Sequence, residues 1–216
     1  MSSKSDKVIE ILANTVAGFG YQVLSFDLPE HGERKENKTY LCNAQNTVKD
    51  LSLVLSFTKS IFSAISVFGC SVGAYFSMLA YKNEKIKQFV FLSPIVDMQS
   101  LIEDMMKSAK VTEQELKAKK IIETSFHQTL YYDYYKFVKD NPVSNFKKKV
   151  FILYGNEDNL QSESLVKNFA ESNGAWLEIV DSEHYFHTKN QLGKYTKFLK
   201  KVLNNENWFL RILCLK

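Results

Sequence analysis

The strongest constraint on this 216-residue chain is its alternation of short β-rich runs with longer stretches at helical spacing. That order demands a mostly parallel sheet covered by helices, an α/β fold. Residues 6–18 place Val8, Ile11, Leu12 and Val16 on one helical face, and Gly18 and Gly20 stop that helix. A strand is predicted at 21–26, then a polar loop from Asp27 to about Asn46. A helix at 47–62, a strand at 65–68, a helix at 72–82 and a strand at 89–92 follow. Alternation resumes later, with strands at 150–154 and 176–180 and helices at 161–172 and 189–203.

Residues 97–148 interrupt the pattern. They are polar and charged, lack glycine, and carry helical groupings such as Leu101, Met105 and Met106 beside the cluster Tyr131, Tyr132, Tyr134 and Tyr135. So long a stretch without structure does not suit a compact domain, so a helical insertion is expected. The core is then 1–96 together with 149–204. The remaining tail, 205–216, is apolar at Trp208-Phe209-Leu210-Arg211-Ile212-Leu213 and has no place in the alternation.

The charge balance, 28 basic against 24 acidic residues, is a mild excess spread along the chain. Nucleic-acid binding requires a concentrated basic stripe, and Lys147-Lys148-Lys149 reads as a solvated loop, so no nucleic-acid partner is expected. No apolar run approaches the length of a membrane span, and no apolar core follows the N-terminal lysines as in a secretory signal. Three cysteines, Cys42, Cys70 and Cys214, without a CxxC pair argue against a disulfide framework and against a zinc site. A reducing cytoplasm is the expected compartment.

Gly69-Cys70-Ser71-Val72-Gly73 has the form G-x-S-x-G and lies between a predicted strand and a predicted helix. In that context the serine sits on a sharp turn that bulky neighbours would obstruct, and the helix start presents the Val72 N–H to developing negative charge. Without that context the motif is only a glycine-rich turn. Cys70 is the rival nucleophile, but its side chain should point into the fold as an inert buried thiol.

A serine nucleophile needs a base and a carboxylate that orients it. Functional residues of a parallel sheet gather at the carboxyl ends of its strands. There, Gly155-Asn156-Glu157-Asp158 and Asp181-Ser182-Glu183-His184 follow two late strands. Asp158 and His184 are therefore the candidate acid and base, in the chain order Ser, Asp, His. Glu157 should face the other way on a tight turn. His187 is the alternative base and reads as a solvated histidine; His127 reads as a helix-surface histidine or a pocket residue. Asp27 and His31 read as structural and pocket-shaping.

Four stretches together resemble the α/β-hydrolase family. Ser25-Phe26-Asp27-Leu28-Pro29-Glu30-His31-Gly32 is similar to its D-x-P-G-H-G loop, with Glu30 where glycine is usual. Phe68 to Ala74 is similar to its nucleophile elbow, Leu153 to Asp158 to its acid turn, and Ser182 to Phe186 to its histidine loop. The resemblance spans about residues 5–203 and points to small bacterial hydrolases of the serine aminopeptidase and lysophospholipase-like group. It implies hydrolysis of an ester, thioester or small amide acyl substrate through Ser71, His184 and Asp158, without metal or cofactor. It also implies that 97–148 caps Ser71, with Met105, Met106, Phe126, Tyr131 and Tyr134 as candidate pocket residues; packing of the cap onto the sheet is the plainer role for each.

The family begins with three further strands, the third ending in a His-Gly turn that supplies a second oxyanion N–H. This chain starts at what looks like the end of that turn, Ser2-Ser3-Lys4-Ser5, so an N-terminally truncated member is expected. The third strand lies between the fourth and the elbow strand. Its absence would leave a gap that either closes by direct pairing of 21–26 with 65–68 or distorts the sheet. Loss of one oxyanion donor costs roughly 100- to 1000-fold in rate. The competing expectations are a binding module without turnover, which the missing strands favour, and acyl transfer, which a triad does not distinguish from hydrolysis.

Overall fold

The computed structural model describes residues 3–37 and 39–204 and the backbone of 211–215. The helices are α1 (Lys7–Ala17), α2 (Ala44–Ile61), α3 (Val72–Tyr81), α4 (Met98–Ser108), α5 (Glu113–Lys119), α6 (Tyr132–Asp140), α7 (Glu163–Asn173) and α8 (Lys189–Asn204). The strands are β1 (Val23–Phe26), β2 (Ile65–Cys70), β3 (Gln88–Leu92), β4 (Ile121–Glu123), β5 (Thr129–Tyr131), β6 (Val150–Gly155), β7 (Trp176–Val180) and β8 (Arg211–Leu215).

Six strands form one sheet in the order β1-β8-β2-β3-β6-β7, and all of its neighbours are parallel. Both faces are covered, so the strands read as continuous apolar runs. Along β2, β3 and β6, Val67, Phe89, Phe91, Ile152 and Tyr154 pack toward α2 and α3. Their neighbours Phe68, Cys70, Val90, Leu92, Phe151 and Leu153 pack toward α1 and α8. α1 fits this second layer because Val8, Ile9, Leu12 and Val16 form one buried stripe. α2 begins where the Asn43 side chain accepts a hydrogen bond from the Asn46 N–H at 2.9 Å.

The sheet has no gap between β1 and β2, and those two strands do not pair directly. The apolar tail, which the alternation leaves unplaced, supplies β8 in that position. Leu213 stands in register with Leu24 on one side and Val67 on the other, and Leu215 with Phe26 and Gly69. An unpaired ladder in the middle of a covered sheet leaves buried N–H and C=O groups without partners; a sixth strand removes that cost. Residues 205–210 and 216 of the tail lie outside the described residues.

The segment between β3 and β6 is not wholly helical. α4, α5 and α6 are joined by a two-stranded antiparallel hairpin, β4–β5. His127 therefore lies in a hairpin turn with φ of 62°, not on a helix surface. Tyr131 is in β5, and exposed Phe126 stands in the same turn.

Candidate active site

The turn from β2 into α3 holds Ser71 at φ 52° and ψ −122°, in the region that L residues rarely occupy. The Ser71 N–H donates to the Leu92 carbonyl at 3.1 Å, and the Ser71 carbonyl accepts from Ala74 N–H at 3.1 Å and Ile95 N–H at 3.2 Å. Gly69 is required by close approach: a Cβ there would lie 2.7 Å from Ala74 Cα. Val72 is the first residue of α3, where N–H groups precede the first intrahelical bond. Cys70 is buried on the α1 and α8 side, as expected for an inward thiol.

The acid and histidine loops meet at the end of β6. Glu157 N–H donates to Ser182 O at 3.0 Å, and Ser182 N–H donates to Asn156 Oδ1 at 3.3 Å. Gly155 allows this contact, since a Cβ there would lie 2.2 Å from Ser182 O. Across the junction His184 Nδ1 lies 2.7 Å from Asp158 Oδ2, and His184 Nε2 lies 2.9 Å from Ser71 Oγ. The His184 and Asp158 side chains are 2% and 0% exposed, so their bond is shielded from water. An ionised carboxylate only accepts, so Nδ1–H is the donor, and Nε2 of the neutral ring accepts from the serine hydroxyl. Asp158 Oδ1 accepts from Leu160 N–H at 2.8 Å and Gln161 N–H at 3.3 Å.

The rival residues stand elsewhere. Glu157 is exposed, and exposed His187 sits 3.4 Å from Glu183. His31 Nδ1 is 2.8 Å from the Pro29 carbonyl. Buried Asp27 accepts from Lys4 N–H at 2.6 Å and Glu33 N–H at 3.1 Å, a structural role. A cavity of about 390 Å³ adjoins that loop, lined by Lys4, Phe26, Asp27, Arg34, Asp50 and Val54.

The candidate pocket residues divide. Met106 is buried, and Met105 and Tyr134 pack against the core on the α3 side. Burial pushes the Tyr134 phenol well above its ordinary pKa, and the neighbouring Tyr75 and Cys42 push in the same direction. Burial raises the Cys42 thiol to about 11. Phe126 is 39% exposed in the β4–β5 turn, and Tyr131 is the half-buried residue just before α6. Sequence reasoning does not single out Asn156, Gln161 or Tyr75. Gln161 and its partners Val96 and Asp97 are 65 and 64 residues apart, and no local pattern announces such a contact. Among the described residues no group of three or more His, Cys, Asp or Glu side chains is arranged to hold a metal ion. Among them, too, no helix is long and apolar enough to cross a membrane.

A family model described as serine aminopeptidase, S33 (Hydrolase_4) matches residues 1–139. The chain belongs to that family. The match includes the Ser71 turn and ends before Asp158 and His184, so their place beside Ser71 is read from geometry. No curated protein matches the chain. Among solved structures, Est1E from Butyrivibrio proteoclasticus with ferulic acid bound is similar at 17% identity and a TM-score of 0.73. That match covers 94% of this chain and 84% of the other. A protein from Agrobacterium vitis S4 is similar at 15% identity and a TM-score of 0.72, covering 94% and 84%. The Pyrococcus furiosus esterase Pf2001 is similar at 21% identity and a TM-score of 0.69, covering 94% and 78%. These likenesses show the α/β-hydrolase fold, and with the family match they make the chain an α/β-hydrolase.

Proposed function

We propose that this hydrolase cleaves an ester, thioester or small amide through an acyl-enzyme on Ser71. The observation that carries the reading is the unbroken line Ser71 Oγ, His184 Nε2, His184 Nδ1, Asp158 Oδ2, at 2.9 and 2.7 Å. Ser71 Oγ attacks the acyl carbon while His184 Nε2 takes its proton. The same nitrogen returns that proton to the leaving group as the tetrahedral intermediate collapses. Water then repeats the sequence on the acyl-enzyme and frees the acid. Asp158 holds the ring in the Nδ1–H tautomer and balances the imidazolium. The Val72 N–H at the start of α3 faces the oxyanion.

In this reading 97–148 is the cap, and Met105, Met106, Phe126, Tyr131 and Tyr134 are its candidate pocket residues. The ferulic acid in the Est1E structure makes aromatic acyl esters a rational part of a first substrate panel. Three cysteines without a CxxC pair, with Cys42 a free thiol, support a reducing, cytoplasmic setting.

The test is labelling of the purified protein with a fluorophosphonate, beside Ser71→Ala and His184→Ala. Labelling of wild type that is lost in both variants is the expected result, followed by turnover of p-nitrophenyl esters of graded acyl length. A well-folded wild type that neither labels nor turns over any ester overturns the reading and leaves a non-catalytic binding module.

A further inference from the structure

One buried amide joins the acid turn to the root of the 97–148 segment. Gln161 is 2% exposed and sits three residues past Asp158. Its Oε1 accepts from Val96 N–H at 3.0 Å and Asp97 N–H at 2.8 Å. Its Nε2 donates to the Asp97 and Leu160 carbonyls, each at 3.1 Å. Two donors facing the oxygen and two carbonyls facing the nitrogen use the whole capacity of the amide and leave one orientation. The Gln161 main chain is engaged too: its N–H reaches Asp158 Oδ1 at 3.3 Å, and its carbonyl accepts from the Tyr154 hydroxyl at 2.7 Å.

The other end of this contact leads back to the nucleophile. Residues 93–97 form a strap from the end of β3 to the start of α4. Ile95 N–H donates to the Ser71 carbonyl at 3.2 Å, and the Asp97 side chain accepts from Ser100 N–H at 2.9 Å to cap α4. The same five-residue strap is therefore tied to the serine turn, to the acid turn through Gln161, and to the first helix of the insertion.

We infer that Gln161 is a positioning residue: it holds the Asp158 turn in register with the 93–97 strap, so that the carboxylate stays aimed at His184. Gln161 touches neither Ser71 Oγ nor His184, so it acts through Asp158 and the strap. The inference deepens the hydrolase reading above and rests on it for its kinetic consequence; the geometric claim stands on its own.

The test uses the full chain with three variants. Gln161→Met keeps the volume and removes all four side-chain hydrogen bonds. Gln161→Glu, held as the neutral acid by burial, keeps the two bonds accepted from Val96 and Asp97 and can donate one to the carbonyls that face the amide nitrogen. Tyr81→Phe removes a buried hydrogen bond to the Leu51 carbonyl at the far end of α3 and controls for stability loss alone. Two readouts are needed: steady-state kinetics with p-nitrophenyl butyrate, and the downfield proton resonance of the His184 Nδ1–H held by Asp158, which needs no turnover. For Gln161→Met the expected result is kcat lower by about 10- to 100-fold with KM nearly unchanged, the scale of a small misplacement of a catalytic group. Its Nδ1–H resonance should broaden or vanish. Gln161→Glu should recover most of kcat and keep the resonance, and Tyr81→Phe should change neither.

Equal behaviour of Gln161→Met and Tyr81→Phe in the resonance overturns the inference, as does Gln161→Glu failing as fully as Gln161→Met. If Gln161→Met does not fold, Gln161→Asn, whose amide is one methylene short of Val96 and Asp97, takes its place with the same expected losses against Tyr81→Phe. A sharp resonance in wild type without labelling or turnover sinks the hydrolase reading. The variant spectra then still decide the role of Gln161.

Discussion

At Ser71 a backbone of φ 52° is imposed on a residue with a Cβ, and the surrounding turn holds it through the Leu92, Ala74 and Ile95 hydrogen bonds. Strain of this kind persists only where neighbours over-determine it. Removing the hydroxyl leaves that scaffold in place, so Ser71→Ala should fold normally and lower kcat by about 10⁶-fold, read by ester turnover and by loss of fluorophosphonate labelling. Asp158→Asn keeps the shape of the acid but presents an amide to His184. It stabilises the wrong tautomer and should lower kcat by about 10⁴-fold with little change in Tm. Gly155→Ala acts through position instead: its Cβ would stand 2.2 Å from Ser182 O, so the acid and histidine turns must part. A loss near 10²-fold in kcat is expected, since an ångström of misplacement costs about that much.

The elements that carry these residues were legible to different degrees. Glycines at 69 and 73, the strand before them and the helix after them fix the serine turn locally, and local signals are what a sequence displays. The paired ends of β6 and β7 place Asp158 and His184 at the same sheet edge for a similar reason: parallel neighbours end together. β8 is different. Its five residues become a strand only because β1 and β2 present unpaired ladders on both sides, and no nearby residue reports that. The amides of 211–215 should be as protected from hydrogen exchange as those of 65–70. Leu213→Pro deletes a ladder donor between two neighbours and should cost at least about 1–3 kcal/mol, read by chemical denaturation. The β4–β5 hairpin eluded the sequence reading because three-residue strands with half-exposed side chains carry too little periodicity.

Across the whole molecule the sheet divides the interior into two apolar layers, and tyrosines are built into both. Burial raises the phenols of Tyr75 and Tyr81 far above their ordinary value. It also raises Tyr154, with Asp158 and Glu163 adding to the effect, to about 12. A raised pKa keeps these groups neutral in the folded state after the unfolded chain has begun to ionise near pH 10. Their contribution to stability is thus complete below pH 10 and is lost as pH rises toward 12 and beyond, by about 1.4 kcal/mol per pH unit for each group. Thermal melts between pH 9 and 11.5 should show Tm falling steeply only above pH 10, with an added step of tyrosinate absorbance from these three buried phenols at unfolding.

The amino-acid order alone determined the alternation of strands and helices, the serine turn, and the two loops that bring an acid and a histidine to one edge. Each depends on residues close together in the chain, where spacing, glycine placement and strand ends act directly. Only the tertiary structure decided that a distant apolar tail enters the sheet between β1 and β2. It alone showed that Gln161 reaches back 64 residues to Asp97, and that Gly155 must lack a side chain for Ser182 to pass. Those outcomes are set by which buried polar groups and which close contacts remain once the layers have packed. Such needs arise between elements, and spacing along the chain does not express them.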